Sequence, residues 1–166
     1  MMFSKFICAL SAVAGALCSP LQDRAANYNF TIYAYSSDSI HGYPIISIND
    51  TAYITSSNSS IFTNGRNITF TSLTSHGNFT ANIPGEGTSL FYVPSTSGQA
   101  GFTNITDDDT MVTSGFGLYG HVVFLEASTS METKWYAIAT EVDDLWQLSW
   151  NASDGFPITL RSVSPS

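Results

Sequence analysis

The 166-residue chain predicts an all-β protein, a single-domain antiparallel β-sandwich or barrel of about ten strands without disulfides. Three observations carry that expectation. Short runs rich in Val, Ile, Thr, Tyr, Phe and Trp alternate with clusters of Gly, Pro, Asn, Asp and Ser. Apolar residues recur at every second position inside those runs, and nowhere does a 3.6-residue apolar period extend over ten residues. Both cysteines, Cys8 and Cys18, fall in the first eighteen residues.

Those residues read as a secretory leader. Lys5 supplies a positive start, and Phe6 to Leu17 is an apolar run too short to span a bilayer. Ala16 and Cys18 are small residues at the −3 and −1 positions of a cut before Ser19, so residues 1–18 are expected to be removed. Residues 19–27 are polar and aperiodic, a flexible N-terminal segment. The domain proper then runs over 28–163. Strands are expected near 28–36, 43–49, 52–56, 67–74, 78–83, 89–94, 111–126 (as one or two), 133–141, 145–150 and 157–162. Segments such as "SSDSIHG", "PGEGT", "PSTSGQAG", "NITDDDT", "ASTSME" and "NASDGF" read as loops. A mature chain without thiols is unusual for a small extracellular domain, but this one is long enough to bury a real core.

The whole chain carries a formal charge of −8, which becomes −9 when Lys5 leaves with the leader. That balance disfavours nucleic acid and anionic membranes as partners. The ending "LRSVSPS" offers no hydrophobic tail, so neither membrane insertion nor a lipid anchor is expected.

Only 11% of residues are charged, so something else must keep the surface wet. Seven of the ten asparagines open N-glycosylation sequons: Asn29, Asn49, Asn58, Asn67, Asn78, Asn104 and Asn151. In four of them the middle residue is Phe30, Ile68, Phe79 or Ile105. On a strand this spacing turns Asn and Thr outward and the apolar residue inward. In "NYNFTIYAY", Phe30, Ile32 and Ala34 then share one face, and Asn29, Thr31, Tyr33 and Tyr35 the other. Glycans on the outer faces would supply solubility and hinder edge pairing.

Catalytic and ligand sets are sparse. His41, His76 and His121 lack metal-ligand spacing, and His121 opens a run that reads as buried. No cofactor is expected. Glu126, Glu132 and Glu141 fall on or near adjacent strands and are the only candidates for a glycosidase carboxylate pair. Asp107, Asp108 and Asp109 form an acidic loop without the spacing or glycine of a calcium loop. No G-x-S-x-G is present. Trp146, Leu148 and Trp150 share a strand face that could be a sugar platform, but Leu148 between the indoles favours core packing. Trp135 with Ala137 and Ala139 reads the same way.

The segments "YAYSSDSIHGYPIISINDTAYI", "GFGLYGHVVF", "KWYAIAT", "LWQLSWN" and "PITLRS" together resemble a family of small secreted proteins of filamentous fungi. The similarity covers about Tyr28 to Arg161. It rests on Gly42 and Pro44, Ala52-Tyr53, Gly117-Leu118-Tyr119-Gly120, Trp135, Trp150-Asn151 and Leu160-Arg161. The family looks like the cell-death-inducing or hypersensitive-response elicitors of plant-associated fungi. The resemblance implies a non-enzymatic protein perceived outside the plant cell through a surface receptor complex. Two other readings stand beside it: a binding module for wall polysaccharide, and a glycoside hydrolase. Under the elicitor reading, the sequon-poor stretch from Gly115 to Asp144 is the expected receptor face, because a receptor needs bare protein.

Overall fold

The computed structural model describes residues 29–37, 39–56, 68–73, 77–128 and 130–164. The leader at 1–18, its cut between Cys18 and Ser19, and the segment 19–27 lie outside the described residues. So do Asn58, Asn67 and His76.

The described residues form strands and no helix. β1 (Asn29–Phe30) and β2 (Tyr33–Tyr35) are two parts of one run. β3 (His41–Ile48) and β4 (Thr51–Thr55) form a hairpin. β5 (Thr69–Leu73), β6 (Asn78–Ile83) and β7 (Gly87–Pro94) form a meander. The short β8 (Gly98–Gln99), β9 (Gly101–Thr103) and β10 (Met111–Val112) follow. β11 (Phe116–Tyr119), β12 (Val122–Ala127) and β13 (Ser130–Glu132) form a second meander. β14 (Trp135–Ala139), β15 (Leu145–Trp150), β16 (Phe156–Pro157) and β17 (Thr159–Arg161) end the fold.

All seventeen strands belong to one curled antiparallel sheet, a half-barrel. The expected all-β antiparallel class holds, but the sheet curls into a half-barrel instead of a sandwich or closed barrel, and its strands outnumber the ten expected. Long runs are broken by local turns, and sequences expected to be loops acquire partners. The run 111–126 divides into β10, β11 and β12. "PSTSGQAG" contains β8, which pairs with Ser149 and Trp150 of β15. "ASTSME" contains all of β13, which folds back on β12. Their Gly, Ser and Gln residues have weak strand propensity, and neighbours distant in the chain supply the ladder.

Backbone chemistry sets the turns. Asn49 and Asp50 connect β3 to β4 with φ of 51° and 61°. Two left-handed residues make the hairpin turn whose twist matches that of the flanking strands. At the corner between β8 and β9, Ala100 donates its N–H to Leu148 O at 2.9 Å and accepts from Ala52 N at 3.0 Å. Gly101 follows where no side chain fits, since a Cβ there would lie 2.6 Å from Asp50 O.

The core is aromatic and follows the period of two. Phe79, Ala81 and Ile83 of β6 are buried, between the more exposed Asn78, Thr80 and Asn82. Phe30, Ile32 and Ala34 are buried as expected, and so are Ile68 and Phe70. Trp135 is fully buried, lies 4.8 Å edge-on from its register partner Trp150, and meets Phe91 at 6.1 Å. Phe91 continues to Phe116 at 5.2 Å, and Phe116 to Phe79 at 5.5 Å. Trp135 also donates its indole N–H to Val123 O at 3.1 Å, fastening β14 to β12.

Trp135→Ala should therefore lower unfolding stability by about 3–5 kcal/mol in urea titrations. Trp135→Phe should cost less, leaving the Val123 carbonyl unpaired but most of the core filled. Equal losses in the two variants would contradict this account of the residue.

Candidate functional site

The sequons divide by placement. Asn29 is exposed in β1, and its Oδ1 accepts from Thr71 Oγ1 at 2.8 Å. Asn49 is exposed in the β3–β4 turn. Asn151 is exposed in a left-handed conformation (φ 49°) and donates Nδ2–H to Thr96 O at 3.2 Å. Asn104 is exposed too, but its sequon is not on a strand. Ile105, expected to point inward, is 57% exposed. The Thr103 hydroxyl accepts the Ile105 N–H at 3.0 Å, a local bond that turns the chain out of β9. Asn78 is half-buried, and its Oδ1 is buried without a hydrogen-bond partner.

The carboxylates do not converge. Glu126 is exposed opposite Met131, whereas Glu132 sits opposite Leu125, so the two point to opposite faces of the β12–β13 hairpin. Glu132 pairs with Lys134 at 3.0 Å, and Glu141 is exposed in the β14–β15 turn. Asp108 accepts from Thr110 Oγ1 at 2.6 Å and from Thr110 N at 2.8 Å. Those bonds hold its carboxyl below the usual aspartate range. His41 opens β3 and is exposed. His121 is also exposed, in the β11–β12 turn and not within a buried strand, because Gly120 with φ of 62° makes the reversal just before it. Among the described residues no group of three His, Cys, Asp or Glu could hold a metal.

Trp135, Leu148 and Trp150 are buried, and Trp146 is half-buried 5.8 Å from the Tyr43 ring. The tryptophans build core, and the aromatic surface lies elsewhere. Across β11, β12, β17, β2 and β3, Tyr119 stands opposite Val122, Val122 opposite Arg161, Arg161 opposite Tyr33, and Tyr33 opposite Pro44. Val123, Leu160, Ala34 and Ile45 of the same strands are buried in the core, so this row is the outer one, although Pro44 at its end is also buried. Tyr119 is 72% exposed. The Arg161 guanidinium lies 5.6 Å from the centre of the Tyr35 ring, and Tyr35 donates its hydroxyl to Val163 O at 2.7 Å. Beside Tyr35 runs an open groove of about 270 Å³, lined by Ser36, Ser37, Pro157, Ile158 and Thr159 as well. Period-two reading places Tyr33 and Tyr35 on the outer face of β2. The pairing that adds Arg161 and Tyr119 joins distant segments and has no sequence signature.

No protein-family model, curated protein or solved structure matches this chain.

Partial burial raises the Tyr35 phenol above its ordinary value, Arg161 opposes that, and Tyr33 adds to it. A raised folded-state value means that the neutral phenol's contribution to stability is full below the ordinary tyrosine range. It fades as pH rises through the raised value. Arg161→Ala should move the Tyr35 midpoint further upward in an NMR titration of ring-labelled tyrosine. A downward move would contradict the arrangement.

Proposed function

We propose that the protein is a secreted, glycosylated elicitor-type effector, recognised outside the plant cell and inducing cell death or defence. The observation that carries this reading is a stretch without sequon asparagines that exposes apolar side chains, Ile105 at its start being the one that sits inside a sequon. The described sequon asparagines, Asn29, Asn49, Asn78, Asn104 and Asn151, all lie outside residues 105–150. Within that stretch, Tyr119, Met131 and Val142 are 72%, 56% and 38% exposed. A sugar-free face with apolar tips suits a protein partner, because apolar anchors carry most of the binding energy at interfaces. The resemblance to fungal elicitors points the same way and supplies the partner class, a plant cell-surface receptor complex.

Binding to wall polysaccharide is a second reading, favoured by the tyrosine–arginine row on β11, β12, β17 and β2. The glycoside hydrolase reading draws no support from Glu126 and Glu132, which face opposite ways.

Leaf infiltration with the secreted protein, beside a boiled sample, tests the proposal. Dose-dependent necrosis or an oxidative burst is expected. Ser128→Asn and Met131→Asn each create a sequon on the β12–β13 hairpin, and a glycan there should reduce the response at least tenfold. No response to the native protein would contradict the proposal, as would full activity in both glycosylated variants.

A further inference from the structure

We propose that the outer face around Arg161 binds an acidic glycan, a chain bearing uronate carboxylates. This goes beyond the elicitor reading, and it engages the end of the β11–β12 hairpin remote from Met131. Three features meet there.

The first is an unmatched cation. Among the described residues the only cations of Lys or Arg type are Lys134 and Arg161. Lys134 is paired with Glu132, and Arg161 has no carboxylate partner among those residues. Arg161 instead lies over the Tyr35 ring. A guanidinium held by a ring face keeps its in-plane N–H donors for a second partner, and a carboxylate matches that fork.

The second is an aromatic row of the right shape. Four strands about 4.8 Å apart carry the accessible part of the row, from Tyr119 to Tyr33, over roughly 14 Å, and Pro44 beyond them is buried. That is a track for linked sugar rings, running across the strands on the outer side of the curled sheet, with Tyr119 and Tyr33 either side of Arg161. Tyrosine offers a ring face for stacking and a hydroxyl for hydrogen bonding.

The third is the groove beside Tyr35, of about 270 Å³, with the hydroxyls of Ser36, Ser37 and Thr159 in its wall. A concave site with a few polar groups around an apolar floor suits a small polar ligand.

The protein's overall negative charge works against a polyanion at long range. However, the described acids other than Glu126 and Glu132 lie in turns and loops, and no acid stands in the row. At physiological ionic strength, charges more than about 8 Å away are largely screened. Among the described residues Arg161 is the one charged side chain in the row.

The test is affinity electrophoresis of the secreted protein, with and without enzymatic deglycosylation, in gels containing either polygalacturonate or a neutral β-glucan. Retardation by polygalacturonate alone is expected, weakening as salt is added. Arg161→Ala should reduce it at least tenfold, Arg161→Lys less, and Tyr119→Ala severalfold. Equal retardation by neutral glucan would overturn the proposal. So would no retardation in either gel, or unchanged retardation in Arg161→Ala. Leaf response is a separate readout, so failure here leaves the elicitor reading standing or falling on its own experiment.

Discussion

Trp135 is the residue on which the architecture turns. Its ring meets Trp150 and Phe91, and its N–H is spent on the Val123 carbonyl of β12. A sheet that curls must be held across its hollow as well as along its ladders, and hydrogen bonds between adjacent strands cannot do that. The line of rings from Trp150 through Trp135, Phe91, Phe116 and Phe79 to Phe30 supplies the crossing. Aromatic side chains suit the task because each buries a large area and tolerates edge-to-face contact. The described domain contains no cysteine, so this packing takes the place that disulfides hold in many small secreted proteins.

The outer surface follows from the same alternation. Most strands that send Phe, Ile or Trp inward send their intervening residues outward, mainly Thr, Asn, Ser and Tyr, whereas β3 and β15 bury both faces along part of their length. With so few charges, solubility falls to hydroxyls, carboxamides and, in the reading proposed above, sugars. The described sequon asparagines sit on β1 and β6, in the β3–β4 turn and just after β9 and β15, while the β11–β13 meander holds none and keeps apolar tips. In the readings proposed above, stability and recognition belong to opposite faces of the same strands. Substitutions in the outer rows can alter binding without emptying the core.

Much of this was legible beforehand. Phe79 between Asn78 and Thr80, or Ile32 between Thr31 and Tyr33, declares its face through strict alternation. The core role of Trp135 and Trp150 was legible for the same reason. Gly98–Gln99 and Ser130–Glu132 were not, because their strand character comes from partners elsewhere in the chain. Ile105 departs from the other apolar-centred sequons because the Thr103 hydroxyl competes with the ladder and ends the strand, leaving "NITDDDT" the loop its composition suggests. The row from Tyr119 to Arg161 could not be read either. It exists only because Val122 of β12 meets Arg161 of β17, a pairing that no local pattern encodes.

Site-resolved glycopeptide mass spectrometry of protein recovered from culture medium tests the central proposal, that sugars occupy the exposed sequons and leave the β11–β13 meander bare. The account predicts N-linked glycan at Asn29, Asn49, Asn104 and Asn151 and unmodified peptides across 115–144. Empty sequons at those four asparagines, or O-linked sugar on the Ser and Thr residues of 115–144, would contradict it.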